Sequence, residues 1–227
     1  MPAAPMGEDS GAIAMTPSRA NLVPRAIDRD NVRRLLGQPG ELVSRKVTDH
    51  LDDNCVRFIA HCPFIVVATK DAGGKADCSP RGDHPGFVRV LGPTRLAIPD
   101  RPGNKLLDSI ENLYSDPGIG LVFLVPGVTE TLRVNGTGYI SDEPLVLASL
   151  EAQGRTPPIA IIVDIEEVFL HCGKALIRSK LWDPASSRLA QFVPTAGEIV
   201  AGQLGLEPST AESLDRQADQ GYRTDLY

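Results

Sequence analysis

No apolar run in this chain approaches the roughly 18 residues that a membrane-spanning helix needs. The opening stretch MPAAPMGEDSGAIAMTPSR has no basic segment followed by an apolar one, so no secretory signal is expected and the reading is cytoplasmic. The cysteines, Cys55, Cys62, Cys78 and Cys172, form no CxxC pair, which suits isolated thiols in a reducing compartment. Basic residues are not in excess: 23 Lys and Arg stand against 29 Asp and Glu, for a net charge of −6. That balance argues against broad binding to nucleic acid or to an anionic membrane, though not against a local basic pocket. A GxSxG nucleophile elbow is absent, and Gly136-Thr137-Gly138 lacks the third glycine and the following helix of a dinucleotide fingerprint. His61-Cys62 and His171-Cys172 supply zinc-type ligands, but adjacent residues point in different directions, so no metal is expected.

A hydrophobic content of 42% is enough for a real core within one domain or a small pair. Residues up to about Asn21 are small, polar and Pro-containing, and are expected to be loose. Asp30 is placed as the cap of a short helix NVRRLLG, with further helices over Glu41–Thr48 and Asp52–His61. From Pro63 the period changes. Strands are expected at FIVVAT (64–69), Lys75–Ser79, Phe87–Leu91, Thr94–Ile98 and GLVFLV (120–125). ETLRVNGTGYIS and IAIIVDIEEVFLHC follow as long strands, the second with a bend near Asp164–Glu166. Asn104 is expected to cap a helix KLLDSIENL, and Asp142 one over Leu145–Ala152. KALIRSKLW and two tail stretches, Thr195–Gly205 and Thr210–Gln220, read as helices. The pattern predicts an α+β domain, mainly β: an antiparallel split β-barrel with flanking helices. The expected division is a flexible segment over 1–30, the barrel over 31–184 and a helical tail over 185–227.

The chemistry concentrates between Ala76 and Lys105. Two loops there, SPRGD and DRPGNK, carry Ser79, Arg81, Arg101, Asn104 and Lys105. Arg offers a planar fork and Lys a point charge, and a phosphate needs such donors from several directions. These loops are the candidate receptor for a phosphorylated cofactor. Thr131 and Arg133 share one face of a strand, where an Arg needs an acceptor. Lys174, Arg178 and Trp182 fall at helical spacing after His171, a stripe able to face a phosphate or a ring.

The order FIVVAT, ADCSPRGDHPGFVRVL, LAIPDRPGNKLLDSIENL and GLVFLVPGVTETLRVNGTG resembles the pyridoxamine 5′-phosphate oxidase-like family of FMN-binding split barrels. HCGKALIRSKLW is similar to the end of the barrel in a bacterial branch of FMN-dependent enzymes, and the resemblance spans about Leu35 to Pro184. It implies an FMN-dependent oxidoreductase of unknown substrate, a homodimer with FMN at the interface. Carried over, Ser79 and Arg81 meet the flavin, Arg101, Asn104 and Lys105 hold the phosphate, and Thr131 and Arg133 come from the second subunit. Lys174 and Arg178, with His171 nearby, close the pocket. The tail QGYRTDLY departs from the arginine-containing C-terminal segment of the oxidases proper. The alternative is a non-catalytic storage or sensor protein for flavin, deazaflavin or haem.

Overall fold

FIVVATK and GIGLVFL, two of the most apolar stretches in the chain, lie hydrogen-bonded side by side, and the rest of a single sheet grows outward from them. The computed structural model describes residues 24–227, in two units, one ending at Glu41 and one from Leu42 to Tyr227. The expectation of a loose stretch up to Asn21 lies outside the described residues. The first unit holds α1 (Arg29–Leu36), whose cap is Asp28, not Asp30: the Asp28 carboxylate accepts from the Asn31 backbone N–H at 2.8 Å. α2 (Glu41–Arg45) stops short of the expected end at Thr48, which instead bridges Val168.

The second unit contains seven strands: β1 (Phe64–Lys70), β2 (Ala76–Gly82), β3 (Arg89–Gly92), β4 (Arg95–Pro99), β5 (Gly118–Leu124), β6 (Thr131–Ser141) and β7 (Ala160–His171). They form one antiparallel sheet in the order β2-β1-β5-β6-β7-β4-β3. β2 runs on through Pro80, three residues beyond the expected end at Ser79. It sits at the sheet edge, where a proline's missing N–H leaves no ladder bond unmade.

Side chains alternate across the pleat, so one face of each strand enters a common core. Ile65 and Val67 of β1, Leu121 and Phe123 of β5, Leu132 and Val134 of β6, Leu96 and Ile98 of β4, and Ile161 and Val163 of β7 belong to a single buried cluster. Strands from both ends of the sheet therefore surround one interior, while the edge strands β2 and β3 pair only inward. This is the split barrel. α3 (Asp53–Ala60) and α4 (Asp108–Ser115) add Ile59 and Leu113 to the core. A smaller cluster lies on the opposite face, where Leu147 of α5 (Pro144–Ser149) and Leu150 cover Ala97, Ala160 and Ile162.

The ladder is irregular at two places, between Val90 and Gly92 of β3 and between β6 and β7. Asn135 pairs with Glu167 and Gly136 with Ile165, so Glu166 is an extra residue on β7, within the stretch where a bend is expected. Gly136 allows the close approach: a Cβ there would lie 2.0 Å from the Asp164 carbonyl oxygen. Gly138 is likewise tight against Leu113. The Gly-Thr-Gly tripeptide thus serves sheet curvature and helix packing.

Three further helices differ from expectation. α4 begins at Asp108, because the Asn104 carboxamide accepts from the Leu106 N–H at 3.1 Å and forms a local turn instead of a cap. α5 starts behind Glu143 rather than Asp142. α6 (Lys174–Ser179) stops at Lys180, which adopts a left-handed conformation, so Trp182 leaves the stripe and its indole N–H donates to the Val128 carbonyl at 2.8 Å. In the tail, α7 (Ala196–Leu204) carries a capping box from Thr195 and Glu198, and α8 (Ala211–Thr224) anchors to it as the Gly197 N–H donates to Asp215.

Gly136→Ala forces its methyl into backbone that has no room to yield. The expected loss is about 3 kcal/mol or more of folding stability by chemical denaturation, against under about 1 kcal/mol for Gly221→Ala, whose Cβ would meet nothing within 4 Å.

Candidate functional site

The ends of β2 and β4 come together and enclose a cavity of about 640 Å³. Ser79, Arg81, Arg101, Asn104 and Lys105 all line it, so the two loops do face one space. Phe87, Pro99, Leu107 and Ile110 give it an apolar side, and Asp100 and Asp108 add carboxylates.

Ser79 and Arg81 are held by their neighbours. The Ser79 hydroxyl donates to Asp77 at 2.9 Å, and the same carboxylate oxygen accepts from the buried Ser109 hydroxyl at 3.2 Å. Arg81 donates to the Pro80 carbonyl at 2.9 Å and reaches the Ser109 oxygen at 3.5 Å. Burial pushes the Asp100 carboxyl above its ordinary range, and the Arg81 charge partly opposes this. Lys105 and Leu107 both sit at φ 61, in the left-handed region, although neither is glycine. Such conformations are of order 1–3 kcal/mol uphill and gather at ligand clamps. The helix terminus expected at Asn104 and Lys105 is absent; α4 starts at Asp108, whose own carboxylate meets the dipole.

Arg101 is largely committed inside the protein. Its side chain is 15% exposed and its Nε donates at 2.7 Å to Asp83, whose carboxylate is only 2% exposed. Nη2 donates to the Leu150 carbonyl at 2.8 Å. The other Asp83 oxygen accepts from the Tyr227 hydroxyl at 2.6 Å, and the Tyr227 ring lies 5.9 Å from the Arg101 guanidinium carbon. Burial pushes the Asp83 carboxyl up; the bonds from Tyr227, the His84 N–H and Arg101 more than reverse this, so it stays below the usual carboxylate range. Asp83, Ser109, Asp100 and Tyr227 escaped the sequence reading. Asp83 lay within the quoted SPRGD loop, but its partner Tyr227 is 144 residues away.

Thr131, Arg133, His171, Lys174 and Arg178 do not line this cavity. Thr131 pairs with His171 at the far end of β6 from Ser141, which pairs with Ala160 beside β4. Thr131 is buried, whereas His171, Lys174 and Arg178 are exposed. Arg133 stacks over Phe169 at 5.1 Å, and its Nε is buried without a hydrogen-bond partner among the described residues. Of the residues weighed for zinc, Cys62 donates its thiol to the Phe64 and Leu124 carbonyls, and the His61 ring bonds the Arg57 carbonyl. Among the described residues no group of three His, Cys, Asp or Glu is placed to hold a metal, and no helix is long and apolar enough to cross a membrane.

Asp83→Ala strands a buried guanidinium, so stability at pH 7 is expected to fall by about 3 kcal/mol. The folded-state pKa of Asp83 is lowered, so its contribution is present above the unfolded value near 4 and is lost as pH falls through the folded value. The wild-type and mutant denaturation curves are expected to converge toward acid pH. A constant difference would contradict the pairing.

The sequence model of the pyridoxamine 5′-phosphate oxidase family matches residues 51–172, more than half of the chain. No curated protein matches the sequence. Among solved structures, HupZ of Group A Streptococcus is 20% identical, with 53% of this chain and 93% of that one covered and a TM-score of 0.44. HutZ, described as a heme storage protein of Vibrio cholerae, is 13% identical, covering 54% and 94%, with a TM-score of 0.40. General Stress Protein 26 of Bacillus anthracis is 10% identical, covering 50% and 88%, at 0.39. At these values none of them speaks for a ligand. The match over residues 51–172 is what places the protein: the chain belongs to the pyridoxamine 5′-phosphate oxidase family.

Proposed function

We propose that the cavity between the end of β2 and the Asp100–Lys105 loop takes the phosphate end of FMN, and that the protein is an FMN-dependent oxidoreductase working as a homodimer. The convergence of Ser79, Arg81 and Lys105 on one cavity with an apolar wall carries this reading. A volume of about 640 Å³ suits a cofactor of that size. Arg81 and Lys105 would hold the phosphate, with Ser79 as a neutral donor, while Phe87, Leu107 and Ile110 shelter apolar surface. A bound flavin supplies hydride and electron transfer, and the chain's part is to bind it, orient it and exclude water.

The remaining site residues fit a second copy. Arg133 Nε is a buried donor without an acceptor, a state worth about 1–3 kcal/mol in lost hydrogen bonding. An acceptor on the cofactor would relieve it, and its charge would oppose negative charge on a reduced ring. Near Lys174 and Arg178, Ile177 is 61% exposed, and Leu170 and Leu181 are also open, an apolar surface that a partner subunit would cover. Four free thiols support a reducing, cytoplasmic setting.

A non-catalytic storage role is the second reading. The cavity lining contains no His, Cys or Met among the described residues, so a haem would find no axial ligand there from this chain. The storage reading therefore keeps flavin as its ligand.

Titration of the purified protein with FMN, followed by flavin fluorescence, tests the site. Arg81→Ala is expected to weaken binding about ten- to hundredfold. Asp100→Asn, which removes a carboxylate from the same cavity, is expected to tighten it. Unchanged affinity in Arg81→Ala and Lys105→Ala would defeat the assignment.

A further inference from the structure

The tail meets the cavity through a single side chain. Tyr227 follows α8 by three residues, yet it reaches the loop after β2: its hydroxyl donates to the buried Asp83 carboxylate at 2.6 Å. Its ring lies against the Arg101 guanidinium, 5.9 Å from centroid to carbon. Its main-chain oxygen accepts from Arg155 Nη1, in the turn between α5 and β7. Leu150, whose carbonyl accepts from Arg101 Nη2, leads into that same turn. The neighbouring His84 ring is bonded to Gln153 and not to Tyr227. Four separate segments therefore converge on one guanidinium: the loop after β2, the loop after β4, the α5–β7 connection and the tail.

The arrangement dictates what Arg101 can still do. Nε and Nη2 are taken by Asp83 and Leu150, and Nη1 has no hydrogen-bond partner among the described residues. Asp83 could in principle turn both oxygens to the Nε–Nη2 edge of Arg101 in the bidentate manner that the pair favours, drawing Nη2 off the Leu150 carbonyl. That would swing the guanidinium toward Asp83. The Tyr227 hydroxyl occupies one carboxylate oxygen and so leaves Asp83 a single oxygen for Arg101.

We propose that Tyr227 is a positioning residue of the phosphate cavity: by engaging Asp83 it holds Arg101 in the one-point pairing that fixes the direction of Nη1, the nitrogen left for an anion in the cavity. This rests on the phosphate reading given above. The tail thereby becomes part of the binding site without touching the ligand, and the affinity of the cavity depends on whether the tail is docked. Arg101 is a cavity residue; Tyr227 acts through it.

The test combines a measurement without ligand and one with FMN. In the ligand-free protein, the ultraviolet difference titration between wild type and Tyr227→Phe isolates one tyrosine among four. That tyrosine is expected to ionise above the ordinary range, because its proton is shared with the Asp83 carboxylate, and Asp83→Asn is expected to return it to that range. FMN affinity is then compared in wild type, Tyr227→Phe, Arg101→Ala and the double variant. Tyr227→Phe keeps the ring, and its folding is checked by thermal unfolding. It is expected to weaken FMN about five- to tenfold in the wild-type background and to have no further effect once Arg101 is alanine. Equal losses in both backgrounds, or no loss in either, would overturn the positioning role. An ordinary tyrosine titration would overturn the contact itself even if FMN binds. A raised tyrosine with no FMN bound by any variant would instead defeat the phosphate reading, and the role of Tyr227 with it.

Discussion

The ladder between β6 and β7 is the constraint on which the rest of the molecule depends. These are the two longest strands, and the extra residue Glu166 opposite Asn135 and Gly136 bends them together. Such a bulge adds twist and bends the strand, and β2 and β4, five places apart in the strand order, meet. The cavity exists because they do. Its donors stand on strand ends and on the loops that follow, held by a sheet whose core is continuous.

Within the cavity, charge is balanced rather than piled up. Arg101 is offset by Asp83, and Arg81 by Asp100 nearby, which leaves Lys105 on a left-handed loop as the most exposed cation. Pairing the two guanidinium groups keeps the barrel stable without ligand, since unpaired buried cations would be costly. Under the proposed function, selectivity for an anion would come from geometry, with Ser79 and Arg81 lining one space and Phe87, Leu107 and Ile110 shaping the rest.

How far the sequence reveals this depends on the range of each interaction. The strands were legible because β-branched runs alternate or continue between Gly and Pro turns, but their bounds were not: Pro80 hid the end of β2, Phe87 and Val88 stand before β3, and β5 starts earlier, at Gly118. The five loop residues were legible by chemical type and by position after strands. The helix start was not: Asn104 has the side chain of a cap but spends it two residues on, at Leu106, and nothing local distinguishes the two uses. Arg101 was found but its commitments were not, because Asp83 and Leu150 lie 18 and 49 residues away. Tyr227 had no local signal at all.

The central claim is that these loops hold a phosphorylated flavin. It is tested most directly by denaturing the purified protein and identifying the released small molecule by mass spectrometry, alongside the visible spectrum of the intact protein. The account predicts FMN and flavin absorption bands. A haem with its Soret band, or a colourless protein that releases nothing and takes up no added FMN, would contradict it.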